Sequence, residues 1–129
     1  MTEALPERAL SIRQPWVWAI LNAGKRIENR PRRFNYRGPI CLHASMTMGR
    51  DEISSYRWCA GDVAAWHSAK AFAREVLIIG TAEIVDCIEQ SDDPWFFGPF
   101  GLVLKNVQPV PFIPVKGALG LFRWQPLIT

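Results

Sequence analysis

Regular structure begins at Ala9-Leu10-Ser11-Ile12, where apolar and polar positions alternate as in a half-buried strand. Gln14-Pro15 then leads into residues 16–22, whose apolar positions recur at helical spacing, and Pro15 suits a first helical turn, where a missing N–H costs nothing. Gly24 predicts the stop of that helix, residues 25–29 an extended segment, and residues 31–38 a basic loop or irregular edge. Pro39-Ile40-Cys41-Leu42-His43-Ala44 is too apolar to face water and reads as a buried strand. Residues 51–73 are the most helical stretch, broken at Gly61-Asp62, with Asp62 as N-cap and Val63, Trp66, Lys70 and Arg74 recurring at helical spacing beyond it. Residues 75–88 are rich in β-branched side chains and predict a long strand or hairpin arm, with a bulge or bend at Gly80 and a turn at Ser91-Asp92-Asp93-Pro94. Trp95-Phe96-Phe97-Gly98-Pro99-Phe100-Gly101 leads into a strand over residues 102–107, and a proline-spaced tail ends on Leu121-Phe122-Arg123-Trp124-Gln125. Several strands with two or three helices, in no βαβ order, predict an α+β fold built around a small mixed barrel rather than a doubly wound sheet.

Length narrows this to one domain, since 129 residues close a single core and not two. The opening segment, expected as a flexible arm over residues 1–7, carries acids and no apolar run, and the longest apolar runs span a few residues only; a soluble, cytoplasmic protein with no membrane segment is expected. Cys41, Cys59 and Cys87 are widely spaced and form no C-x-x-C pair, which argues against a disulfide framework or a structural metal. With two histidines, His43 in an apolar strand and His67 in the helical stretch, no tight transition-metal site is expected, and no cofactor beyond a loosely held Mg²⁺ or Mn²⁺ should the chain be a nuclease. The six tryptophans are many for so short a chain. Trp58, Trp66 and Trp124 read as core, whereas Trp16 and Trp95 stand beside prolines at element boundaries, where either core packing or stacking on a base is served.

The net charge of +3 changes meaning once divided along the chain, because residues 1–50 carry nine Lys and Arg against three Glu, and the remainder six against nine acids. Six of the cations, Lys25, Arg26, Arg30, Arg32, Arg33 and Arg37, fall between Lys25 and Arg37, with Glu28 the one acid among them. This is either a solvated arginine-rich turn or a surface that attracts phosphates. If residues 25–30 are extended, Arg26, Glu28 and Arg30 share one face and Lys25, Ile27 and Asn29 the other, so that Glu28 lies between two guanidiniums. Such a carboxylate is an ion-pair ladder on a strand, a general base, or an acceptor for the exocyclic amine of a base. Gln14, just before the helix, and Ser45, after His43, line the same opening if strand and helix ends converge. No nucleophile elbow, phosphate-cradling glycine loop, dinucleotide motif or H-E-x-x-H is present.

Four segments together resemble a known family: Ala9-Leu10-Ser11-Ile12-Arg13-Gln14-Pro15-Trp16, Ala23-Gly24-Lys25-Arg26-Ile27-Glu28-Asn29-Arg30, Tyr36-Arg37-Gly38-Pro39 with Leu42-His43-Ala44-Ser45, and Gly98-Pro99-Phe100-Gly101-Leu102-Val103-Leu104 with the ending from Pro111 to Trp124. In order and spacing they are similar to the ASCH domain (activating-signal-cointegrator homology), whose signature is G-x-K-x-x-E-x-R. The resemblance implies a single PUA-like domain over residues 1–129, a small β-barrel with helices around a cleft, in a superfamily associated with RNA binding and with reading or hydrolysing modified bases. Family members include nucleic-acid binders, metal-dependent ribonucleases and amidohydrolases acting on N4-acetylcytidine, the last through a Lys-Thr-Glu set. Lys25 matches the lysine of that set, Glu28 stands where those amidohydrolases have threonine, and Ala23 stands at the first signature position.

Residue chemistry and resemblance lead to the same expectation. Both predict a nucleic-acid-binding module for RNA, another single-stranded nucleic acid or a modified nucleoside, with Gln14, Trp16, Lys25, Arg26, Glu28, Arg30, Arg32, Arg33, Arg37, Ser45 and Trp95 as the expected contact residues. The alternatives are a hydrolase with Glu28 as base and Lys25 stabilising developing negative charge, and a protein-interaction domain whose arginines are merely solvated.

Overall fold

The computed structural model describes residues 4–14, 16–45 and 76–129. Residues 51–73, expected as helix, with the expected Asp62 cap and with Trp58, Cys59, Trp66 and His67, lie outside the described residues, as does Pro15. The elements are β1 (Arg8–Arg13), α1 (Trp16–Asn22), β2 (Ile27–Arg30), β3 (Gly38–Ser45), β4 (Leu77–Ile88), β5 (Phe100–Pro114) and β6 (Leu121–Arg123), followed by a 3-10 turn at Gln125–Leu127. The strands form one sheet in the order β2-β5-β4-β3-β1-β6, antiparallel except where β1 runs parallel to β3. The sheet is a curled half-barrel accompanied, among the described residues, by one α-helix.

The curl follows from irregular pairing, since β4 shifts register against β5 at three places and β3 shifts against β4 between Leu42 and His43. One shift falls at Gly80, where the sequence predicts a bulge. A Cβ there would stand 2.8 Å from the Gln108 carbonyl oxygen and 2.8 Å from Leu21 Cδ2, so only glycine lets β4 pass so close to both β5 and the helix. Leu10, Ile12, Ile40, Leu42, Ile79, Ile84, Leu102 and Leu104 project from the strands into one core with Val17 and Ile20 of α1. On the opposite sheet face Ala9, Cys41, Ile78, Val115 and Trp124 pack together, and burial raises the Cys41 thiol to about 11. Residues 4–7, expected as an arm, lie against this second cluster through Leu5 and through the Pro6 carbonyl, which accepts from Trp124 Nε1 at 2.7 Å.

β5 runs seven residues past the stretch expected from sequence, to Pro114. Pro109 and Pro111 are tolerated because β2 borders β5 only over residues 100–103, so beyond that point, among the described residues, one side of β5 has no ladder to which an N–H must donate.

Candidate nucleic-acid interface

The site forms where α1 hands over to β2. Gln14 is fully buried and its Oε1 accepts from the Trp18 N–H at 3.2 Å, capping the start of the helix with a side chain. At the other end Gly24 turns left-handed (φ +73°), and the Lys25 N–H closes back onto the Ala19 carbonyl at 3.2 Å. That turn sends the Lys25 side chain inward, where it is fully buried.

Lys25 Nζ donates to the Ile27 carbonyl and to Glu28 Oε1, the latter at 3.1 Å. The other Glu28 oxygen faces Arg30 Nη2 at 3.3 Å. Arg30 in turn donates to the Ser11 carbonyl of β1 at 2.8 Å, reaching from one edge of the sheet to the strand beside its other edge. Glu28 therefore does lie between two cations, but they are Lys25 and Arg30. The expected alternation placed Arg26 there. Strand geometry begins only at Ile27, so Lys25 and Arg26 are still in the turn; the Arg26 guanidinium folds back onto the Ile20 carbonyl at 2.7 Å, an acceptor in the last turn of α1, and onto the Lys25 carbonyl at 3.0 Å.

Burial pushes the Lys25 amine below its usual range, opposed by Glu28, which attracts and hydrogen-bonds the ammonium, and more weakly by Asp93, while Arg30 pushes the same way as burial. The half-buried Trp16 ring lies 5.6 Å from Lys25 Nζ, with Trp95 edge-on and Phe97 tilted against it, each with its ring centre 6.4 Å away. Trp95 is buried at the base of this cluster, and Phe97 is half exposed.

The remaining expected contact residues sit further out. Arg33 pairs with Glu89 at 2.6 Å and lies over the Phe100 ring, and Arg37 approaches Asp86 at 3.9 Å while donating to the Phe34 and Tyr36 carbonyls. Arg32 is exposed. Ser45 lines a different hollow, about 360 Å³, shared with Ser11, His43 and residues 117–119, and Gln14 is not among its walls. There His43 Nε2 donates to the Val115 carbonyl at 2.8 Å, a bond that fixes the tautomer, and burial lowers its pKa. Glu28, with a cation at each oxygen, does not suit a divalent ion, and no cluster of three potential ligands occurs among the described residues.

Asn29 was not singled out by sequence. Its side chain faces away from Glu28 and holds the aromatic segment, donating to the Trp95 carbonyl at 2.9 Å and accepting from the Phe97 and Gly98 amides at 2.7 and 3.0 Å. The available signal was the aromatic, glycine- and proline-rich turn itself, whose backbone amides need an acceptor from elsewhere.

Comparison with protein-family models matches residues 10–97 to the ASCH domain, well over half of the chain. The protein belongs to the ASCH domain family. The ASCH domain is a PUA-like module, generally thought to bind RNA, and the matched span runs from within β1 to beyond β4 and takes in Lys25, Glu28, Asn29, Arg30 and the aromatic segment to Phe97. No curated protein matches the chain. Among the described residues of this ASCH domain, no helix is long and apolar enough to cross a membrane.

Proposed function

We propose that this ASCH domain binds single-stranded RNA by holding one base, plain or modified, against Trp16 beside the Lys25–Glu28–Arg30 trio. The observation that carries this reading is the half-buried indole with a buried ammonium 5.6 Å from its centre, next to a carboxylate neutralised at both oxygens. A planar ring stacks on the indole, the ammonium and guanidinium attract its carbonyl or phosphate oxygens, and Gln14, buried with its Nε2 lacking a partner among the described residues, supplies a donor. The exposed Arg32 extends the positive charge outward for a flanking phosphate.

The hydrolytic alternative rests on the lowered amine of Lys25 beside Glu28. Binding is favoured over it because both Glu28 oxygens already serve cations, an arrangement suited to holding charges in place more than to taking up a proton. A test is the anisotropy of labelled single-stranded RNA titrated at several salt concentrations. Affinity should fall steeply with salt and drop by roughly 5- to 150-fold in Trp16→Ala, the range of one lost base stack. Salt-independent binding that Trp16→Ala and Arg30→Gln leave unchanged would refute the reading. Turnover of N4-acetylcytidine, or of RNA with Mg²⁺ or Mn²⁺, above a Glu28→Gln control would replace it with the hydrolytic one.

A further inference from the structure

Phe97 is a large apolar side chain left half exposed beside Trp16, and its position is not set by a strand or helix. It is set by Asn29, whose single side chain makes three hydrogen bonds across 66 to 69 residues of sequence to the backbone of Trp95, Phe97 and Gly98. Asp93 adds a fourth restraint to the same turn by accepting from the Trp95 N–H at 2.8 Å. Pairing of Arg30 with Phe100 and of Asn29 with Gly101 lays the aromatic turn alongside the start of the basic segment, and Arg33 rests over Phe100. An outer aromatic face and a cation are thus presented next to each other, just outside the Trp16 position.

We propose that Asn29 is a positioning residue that holds Phe97 as a second, outer stacking face, so that the site takes two successive nucleotides of one strand rather than a lone nucleoside. This rests on the reading of Trp16 as the inner stacking face and deepens it. The geometry suits a chain: the two rings are tilted by 49° at 6.4 Å, which is too close and too splayed to sandwich one base, but presents two faces to two bases turned apart. Unstacked neighbouring bases are what a single strand offers to aromatic side chains.

The test compares a labelled single-stranded oligocytidylate with cytidine monophosphate on the wild type, Asn29→Ala, Asn29→Asp, Phe97→Ala and the Asn29→Ala/Phe97→Ala double variant. Oligonucleotide affinity should fall on the order of tenfold in Phe97→Ala and by a similar factor in Asn29→Ala, with a smaller loss for the mononucleotide. The double variant should lose no more than either single one, because Asn29 acts through Phe97. Amide hydrogen exchange at Phe97 and Gly98 should be slow in the wild type, fast in Asn29→Ala and again slow in Asn29→Asp, which keeps the accepting oxygen. If the wild type binds the oligonucleotide and both alanine variants bind it as well as the wild type, this proposal alone is overturned and the Trp16 reading stands. Additive losses in the double variant, or unprotected amides in the wild type, overturn it as well. If the wild type binds neither ligand, the Trp16 reading falls and this proposal with it.

Discussion

Replacing Glu28 by glutamine removes one negative charge and almost no volume, leaving the buried Lys25 and the partly buried Arg30 with an acceptor but no counter-charge. The carboxylate is 6% exposed and meets Lys25 Nζ at 3.1 Å, a separation at which opposite unit charges attract by about 5 kcal/mol at an effective dielectric constant of 20. The loss cannot grow indefinitely, because Lys25 can escape by releasing its proton. From an ordinary value of 10.5, carrying a neutral amine at pH 7 costs about 5 kcal/mol, and at pH 9 about 2 kcal/mol, at 1.36 kcal/mol per unit. The wild type already bears part of this, as burial lowers Lys25 before any mutation. Glu28→Gln should therefore destabilise the protein by roughly 3–4 kcal/mol near neutrality and by no more than about 2 kcal/mol at pH 9. The sign follows from proton counting: between the lowered folded value and 10.5 the unfolded chain holds a proton that the folded one lacks, so stability rises with pH, and the variant enters that window at lower pH than the wild type. Urea unfolding of both proteins at pH 7 and pH 9, with equal m-values, measures the difference. A penalty of equal size at both pH values would show that Lys25 does not carry it, and a penalty below about 1 kcal/mol at pH 7 would show that the trio is not electrostatically coupled.

Two further expectations concern the scaffold. His43 is neutral in the fold because burial lowers its pKa, so stability conferred by the neutral ring is complete above about 6.5 and is lost as pH falls below that, at up to about 1.4 kcal/mol per pH unit, until its own folded value is passed. Unfolding midpoints of the wild type and His43→Gln between pH 7 and pH 5 should converge as the pH drops; parallel curves would contradict this. Gly80→Ala places a methyl 2.8 Å from the Gln108 carbonyl oxygen and should cost about 1–3 kcal/mol in urea unfolding, and an unchanged midpoint would mean that the bulge yields freely.

The parts of the fold visible in sequence were those where one face of an element is buried. β1, α1, β3 and β4 announce themselves by period and by β-branched content, and Gly80 by its isolation in a strand. β5 was legible only in its first half, since Pro109 and Pro111 act as breakers unless it is known that, among the described residues, one side of that stretch has no neighbour. At the site, the spacing of Lys25, Glu28 and Arg30 was visible and the assignment of faces was not, because it depends on where the turn ends and the strand begins. The same holds for the basic segment. Its charge suggests an open positive surface, whereas Arg33 and Arg37 meet Glu89 and Asp86, acids that come from β4 and its end, about fifty residues away. Asn29 was missed because its three partners also lie far along the chain.

The contact from Arg30 to the Ser11 carbonyl has a mechanical side. Each junction between neighbouring strands is stitched by a backbone ladder, but among the described residues the sheet does not close on itself, and this guanidinium reaches from β2 to β1. The link between the two ends of the half-barrel is thus made by a side chain, where neighbouring strands are joined by backbone. Arg30 also holds Glu28, so one residue serves both the tie from β2 to β1 and the charge balance around Lys25.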